Sequence, residues 1–149
     1  MSTVSITRLL SFVMLAMLAA GGTLIPAGAA AQSTAAKNRL VVQVSDADPG
    51  KWNLALNNAK NVQNDLGAKN VDVEIVAYGP GIGMLKAKSV VGNRIAEALK
   101  AGVKVVACEN TMHGQKLTKA DMLQGIDYAP AGVTEIMRRQ QEGWAYLRP

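Results

Sequence analysis

Three runs rich in valine and isoleucine constrain this chain more than any other feature: RLVVQVS (Arg39–Ser45), VDVEIVAY (Val71–Tyr78) and VKVVAC (Val103–Cys108). Each has the length and the β-branched content of a strand. The stretches between them have a different period. Trp52, Leu56, Ala59, Val62 and Leu66 recur at steps of three and four, the spacing of one apolar helix face. Asp48 before Pro49 supplies a capping side chain and a proline at the first helical position, and Gly67 closes the helix. A second helix is predicted over Ser89–Lys100, with Val91, Ile95, Ala98 and Leu99 inward and Gly102 after it. Beyond the third run, Thr118 and Asp121 resemble a capping box at the start of a short helix, TKADML. A short strand at Ile126–Tyr128 comes next. A last helix, Val133–Glu142, carries Val133, Ile136 and Met137 inward, and WAYLR (Trp144–Arg148) reads as a final strand.

Strands that alternate with helices in this way predict an α/β domain, a mostly parallel sheet covered on both faces. Ligands bind such sheets at the carboxyl ends of the strands. Three segments are expected there: DADPGK after the first run, YGPGIG after the second, and Cys108 with ENTMHG after the third.

The first thirty residues follow another logic. Arg8 precedes the apolar run LLSFVMLAMLAA (Leu9–Ala20); Gly21, Gly22 and Pro26 break it, and the small residues AGAAAQS follow. This is the pattern of a cleaved secretory signal peptide, residues 1–31, with cleavage after Ala31 or Ala29. A membrane span needs about 20 apolar residues, more than this run provides. Residues 32–38 form a flexible leader, and the domain occupies 39–149. The expected location is the periplasm, with no membrane contact once the signal is removed. The net charge of +5 is dispersed over the chain. It is not interleaved with aromatics, so nucleic acid is not an expected partner. The aromatics Trp52, Tyr78, Tyr128, Trp144 and Tyr146 are scattered, as expected of core or subunit contacts.

One cysteine cannot form an intrachain disulfide, and in an exported chain it is buried, paired between chains or chemically used. Cys108 ends a strand, where helix N-termini would favour its thiolate. The alternative is a packed structural thiol. His113, the only histidine, is close enough in sequence to serve as base or donor, or it is a solvated loop residue. Asn110 and Thr111 lie between them. Cys108, Met112, His113 and Met122 form a set that copper(I) would accept, although no metal site of known spacing is present. The GPGIG loop lacks the third glycine of a dinucleotide fingerprint and the GK[ST] of a P-loop. It reads as a tight turn bringing backbone close to a neighbour, with Gly79, Pro80, Gly81 and Ile82 shaping the wall of a Cys108 pocket.

From Gln32 onward the chain resembles the DsrE/DsrF-like proteins, which include sulfur-relay proteins, and is closest to their exported single-domain branch. The resemblance rests on GPGI after the second strand, GVKVVACENTM with LTKADML, and the tail VTEIMRRQQEGWAYLRP. It implies a flavodoxin-like three-layer sandwich of about five strands, usually assembled into homo- or hetero-oligomers; a homo-oligomer is expected here, and no cofactor. It also implies that Cys108 matches the cysteine that carries sulfane sulfur as a persulfide, taken from or passed to a partner protein or a small sulfur compound. Two other functions are consistent with the residues: a non-catalytic oligomeric module binding a small ligand or partner, and a copper(I)-binding protein.

Overall fold

A computed structural model describes residues 37–149. The expected signal peptide, residues 1–31, and all of the leader but its last two residues lie outside the described residues. The chain runs β1 (Asn38–Val44), α1 (Pro49–Leu66), β2 (Val71–Ala77), a 3₁₀ segment (Gly79–Leu85), α2 (Gly92–Lys100), β3 (Lys104–Cys108), α3 (Glu109–Gly114), a 3₁₀ turn (Lys119–Asp121), β4 (Asp127–Ala129), α4 (Gly132–Gln141) and β5 (Ala145–Leu147). The strands form one sheet in the order β4-β3-β2-β1-β5, and every pairing is parallel. The expected α/β architecture is therefore present, with five strands and a helical layer on each side. No described helix is long and apolar enough to cross a membrane.

The two layers are unequal. Strand residues of one parity, among them Leu40, Val42, Val73, Ile75, Val105 and Ala107, pack under α1 and α2 in a large core. The opposite parity contributes only Val41, Val76, Val106 and Ala129 to a smaller cluster completed by Ile136 of α4. Right-handed crossovers explain the asymmetry. The chain adds β2, β3 and β4 successively on one side of β1, so those connections share a face. It then returns past β1 to place β5, and α4 is carried to the other face.

Local chemistry sets the element ends. The Asp48 carboxylate accepts from the Gly50 N–H at 2.8 Å and caps α1. Asp121 Oδ2 accepts from the Thr118 N–H at 2.8 Å and from its hydroxyl at 2.7 Å, closing the expected capping box around a single 3₁₀ turn. Gly81 packs so closely on β1 that an added Cβ would stand 2.2 Å from the Val44 carbonyl oxygen. The close backbone approach expected of GPGIG is thus real, although the segment continues as 3₁₀ helix to Leu85. The second helix starts at Gly92 rather than Ser89, and ENTMHG, the segment after the third strand, is the short helix α3.

The last helix requires a correction. Val133 and Met137, expected inward, are 57% and 52% exposed, while Glu135 is buried beside Ile136. The cause is Glu74, at the centre of β2 and fully buried on the face that α4 covers. A buried carboxylate needs a cation. α4 supplies Arg139, and at 100° per residue Glu135, Ile136 and Arg139 share one side while Val133 and Met137 take the other.

Candidate functional site around Cys108

The β3 strand delivers Cys108 to the carboxyl edge of the sheet, on the α4 side, with the parity of Val106. It is the N-cap residue of α3, and its side chain is nearly buried. Two helix starts lie beside Cys108, which directly precedes α3 and packs against Gly132 of α4. The Asn110 and Thr111 N–H groups open α3, and the Gly132 N–H opens α4. Burial pushes the thiol up, but hydrogen bonding from the Thr111 hydroxyl and from the backbone N–H groups of Gly132 and Thr111 outweighs it and holds the thiol below its ordinary range. A neutral thiol is a weak acceptor, so these donors form a loose cage that a thiolate would draw tight.

Thr111 is the pivot. Its oxygen accepts from the Gly79 N–H at 2.9 Å. That bond leaves the hydroxyl proton free to be donated to sulfur. Gln115 Nε2 donates to the Gly79 carbonyl at 3.3 Å, a second tie between α3 and the loop after β2. The third tie is the Asn110 N–H, which donates to the Pro130 carbonyl at 3.0 Å and fixes the segment leading into α4. Gly132 is the tight point. A Cβ there would come within 3.1 Å of Tyr78 Cβ, 3.2 Å of Cys108 Cβ and 3.3 Å of Val76 Cγ1.

Of the residues singled out from sequence, Cys108, Asn110, Thr111 and Gly79 come together. Thr111 acts through its side chain, Asn110 through its backbone bond to Pro130, and Gly79 through Thr111. His113 is exposed on the last turn of α3. Pro80 is exposed, Gly81 lies against β1, and Ile82 is buried in the core beneath α1 and α2. Met112 and Met122 are buried in that same core, on the opposite side of the sheet from Cys108. The structure does not gather the candidate copper ligands. Among the described residues no three His, Cys, Asp or Glu side chains cluster as a metal site would require. DADPGK also stands apart: Asp46 pairs with Lys51 at 3.3 Å and with Arg148 at 3.5 Å, and its carbonyl accepts from Trp52 Nε1 at 2.7 Å.

Cys108 lines none of the three main surface cavities, of about 320, 400 and 400 Å³. The first is a groove between α1 and α2, walled by Leu56, Ala59 and Val103 with Lys60, Arg94 and Glu97 at its rim. Sequence reasoning missed Gly132 and the group behind it. Arg139 donates from Nε to Glu74 Oε1 at 3.0 Å, and its Nη2 lies 2.8 Å from Glu74 Oε2 and 2.9 Å from Glu135 Oε1. Glu74 is pushed up by burial, against the pull of Arg139. The signal was present in the sequence as an isolated Glu inside an apolar strand.

A sequence model of the DsrE/DsrF-like family matches residues 29–149. Among solved structures, a protein of unknown function from Methanobacterium thermoautotrophicum, MTH1491, is 35% identical. The match covers 76% of this chain and 100% of that one, with a TM-score of 0.73. A conserved protein of unknown function from Bacteroides thetaiotaomicron, BT1422, is 17% identical over 75% of this chain and 95% of that one, with a TM-score of 0.62. The ychN protein of E. coli is 13% identical over 75% and 99%, again with a TM-score of 0.62. These last two share the fold. No curated protein matches the chain.

Proposed function

Since this chain belongs to the DsrE/DsrF-like family, with a role related to sulfur relay in general, we propose that it handles sulfane sulfur as a persulfide on Cys108. The observation that carries this reading is the place of Cys108, the last residue of β3 at the carboxyl edge of the sheet, between the start of α3 and Gly132 of α4; the lowering of the thiol below its ordinary range agrees with it. The thiolate is the attacking form, and a lowered pKa raises its population at neutral pH. In the proposed step Cys108 Sγ attacks the outer sulfur of a donor R–S–SH. An S–S bond forms on Cys108, the donor S–S bond breaks, and its electron pair leaves on RS⁻, so Cys–S–SH is made with no external oxidant. With thiosulfate the leaving group is sulfite. The Thr111 hydroxyl and the Gly132 N–H, aimed at the sulfur, would stabilise the anion before attack and the persulfide anion after it.

The burial of Cys108 favours small donors. It also favours the second reading, a non-catalytic oligomeric module with a packed thiol, whose ligand would occupy the groove between α1 and α2. The two separate in one experiment. The protein is incubated with polysulfide or thiosulfate and its intact mass recorded, with Cys108→Ser beside it. A gain of about one sulfur atom, reversed by reductant and absent from the variant, supports the carrier. An unchanged mass together with a thiol inert to a small alkylating agent overturns it in favour of the module.

Export to the periplasm by a cleaved signal peptide belongs to the same proposal, supported by the pattern of Arg8, Leu9–Ala20 and the small residues to Ala31. So does homo-oligomerisation, supported by Val133, Met137 and Tyr146, large apolar side chains exposed on α4 and β5.

A further inference from the structure

α4 begins at the thiol and is anchored elsewhere. Its N-cap residue, Ala131, offers no side-chain acceptor, and the Cys108 side chain packs against its first residue, Gly132. The start of the helix has no slack, because Gly132 already lies at the limit of approach to Cys108. Apolar packing fixes this position only weakly: Ile136 is the one apolar side chain that the helix buries. The geometry is set instead two turns downstream. There Arg139 donates from Nε to Glu74 of β2, brings Nη2 within 2.8 Å of the other Glu74 oxygen and 2.9 Å of Glu135 as ion pairs, and donates from Nη1 to Glu142 at 3.2 Å. Its guanidinium stacks over Trp144, 5.0 Å from the ring centre, which ties the helix to the segment entering β5. A guanidinium held by three carboxylates and an aromatic face has little freedom to slide or rotate. A helix is stiff over two turns, so fixing Arg139 fixes Gly132.

We propose that Arg139 is a positioning residue for Cys108: by clamping α4 to Glu74 it holds Gly132 against the Cys108 side chain and so sets the surroundings of the sulfur. The role in sulfur chemistry rests on the carrier reading above, but the mechanical coupling does not.

The test reads the thiol directly. The ultraviolet absorbance of the thiolate is followed against pH in the folded protein, with the matching Cys108→Ser background subtracted. This needs no access of a reagent to the sulfur. Arg139→Met is expected to move the titration midpoint of Cys108 upward by about one unit, a tenfold loss of thiolate at a fixed pH below the midpoint. Arg139→Lys, which keeps the charge but loses the fork, is expected to move it less. Ile95→Val, in the core on the other face, destabilises without touching α4 and is expected to leave the midpoint in place. A midpoint unchanged in Arg139→Met, or shifted equally by Ile95→Val, overturns the proposal and leaves Arg139 a stability residue only. Should Arg139→Met fail to fold, Arg139→Lys decides on the same two criteria. A wild type that takes up no sulfur while Arg139→Met still shifts the midpoint would sink the carrier reading and keep this one.

Discussion

Thr111 uses one oxygen twice, accepting from Gly79 and donating to Cys108. Thr111→Val keeps the shape and removes both bonds. It is expected to raise the thiol midpoint and slow alkylation at neutral pH, and to cost about 1–3 kcal/mol in urea unfolding because the Gly79 N–H is orphaned. The thiol also leaves a mark on stability. Its pKa is lower in the folded state than the ordinary 9.0. Its contribution is therefore complete above the unfolded value and is lost as pH falls through the folded one. The stability gap between wild type and Cys108→Ser should widen as pH rises towards 9, and a constant gap would contradict the donor cage. Gly81→Ala tests a different contact. With 2.2 Å between the added Cβ and the Val44 oxygen, the backbone must move, and a loss of about 3 kcal/mol or more is expected by the same urea method. Gly81 was legible in the sequence because a glycine-rich turn after a strand implies close approach. Thr111 was named as a polar contact, but its bond to Gly79 spans 32 residues and no local spacing encodes it.

Among the elements, α4 shows how a local period can mislead. Read by itself, its apolar residues Val133, Ile136 and Met137 define the inner side. The structure turns the helix to bring Arg139 to Glu74. Nothing within the helix announces this, since the deciding charge lies in β2, 65 residues away. α3 escaped for the opposite reason: ENTMHG is too short and too poor in apolar residues to show any period, and it is helical because Met112 anchors it in the core while its first N–H groups face Cys108. By contrast α1 was largely legible: its cap, its proline and the stripe of Trp52, Leu56 and Ala59 stand as expected, although Leu66 at its end is exposed and Ala55 and Gln63 are buried beside the stripe. Glu74 makes a prediction at this scale. Burial raises its pKa above the ordinary 4.5, more than Arg139 lowers it. A raised folded pKa means stability that is full below the unfolded value and declines as pH rises through the folded one. Glu74→Gln removes that decline. Urea unfolding from about pH 4.5 to 7 should show the wild type losing stability relative to the variant, and parallel curves would show that the pKa of Glu74 is not raised by folding.

At the scale of the whole molecule, the alternation of strand and helix was enough to give the sheet and its parallel pairing, because few connections of that length are sterically possible. The strand order was not legible, since it depends on which side of β1 the last strand joins. Nor was the inequality of the layers, with two helices on one face and α4 alone on the other. The exposed stripe of Val133 and Met137 lies on that single helix. The double substitution Val133→Ser, Met137→Ser should change monomer stability by about 0.5 kcal/mol or less, as expected for exposed sites. If the stripe joins copies of the chain, light scattering should show the assembly falling to monomers. A monomeric wild type would remove the stripe from the proposal.

The order in which the parts are made gives the strand arrangement a further meaning. β1 has β5 as a neighbour, so the first strand to emerge during synthesis waits for nearly the last residues before both its edges are paired. Cys108 emerges before the residues that cover it, Gly132 to Gln141. A growing or unfolded chain therefore carries a bare thiol, and the sheltered sulfur exists only once the last eighteen residues, from Gly132, have docked. A chain cut short before Gly132 would keep the cysteine and lose what makes it distinctive.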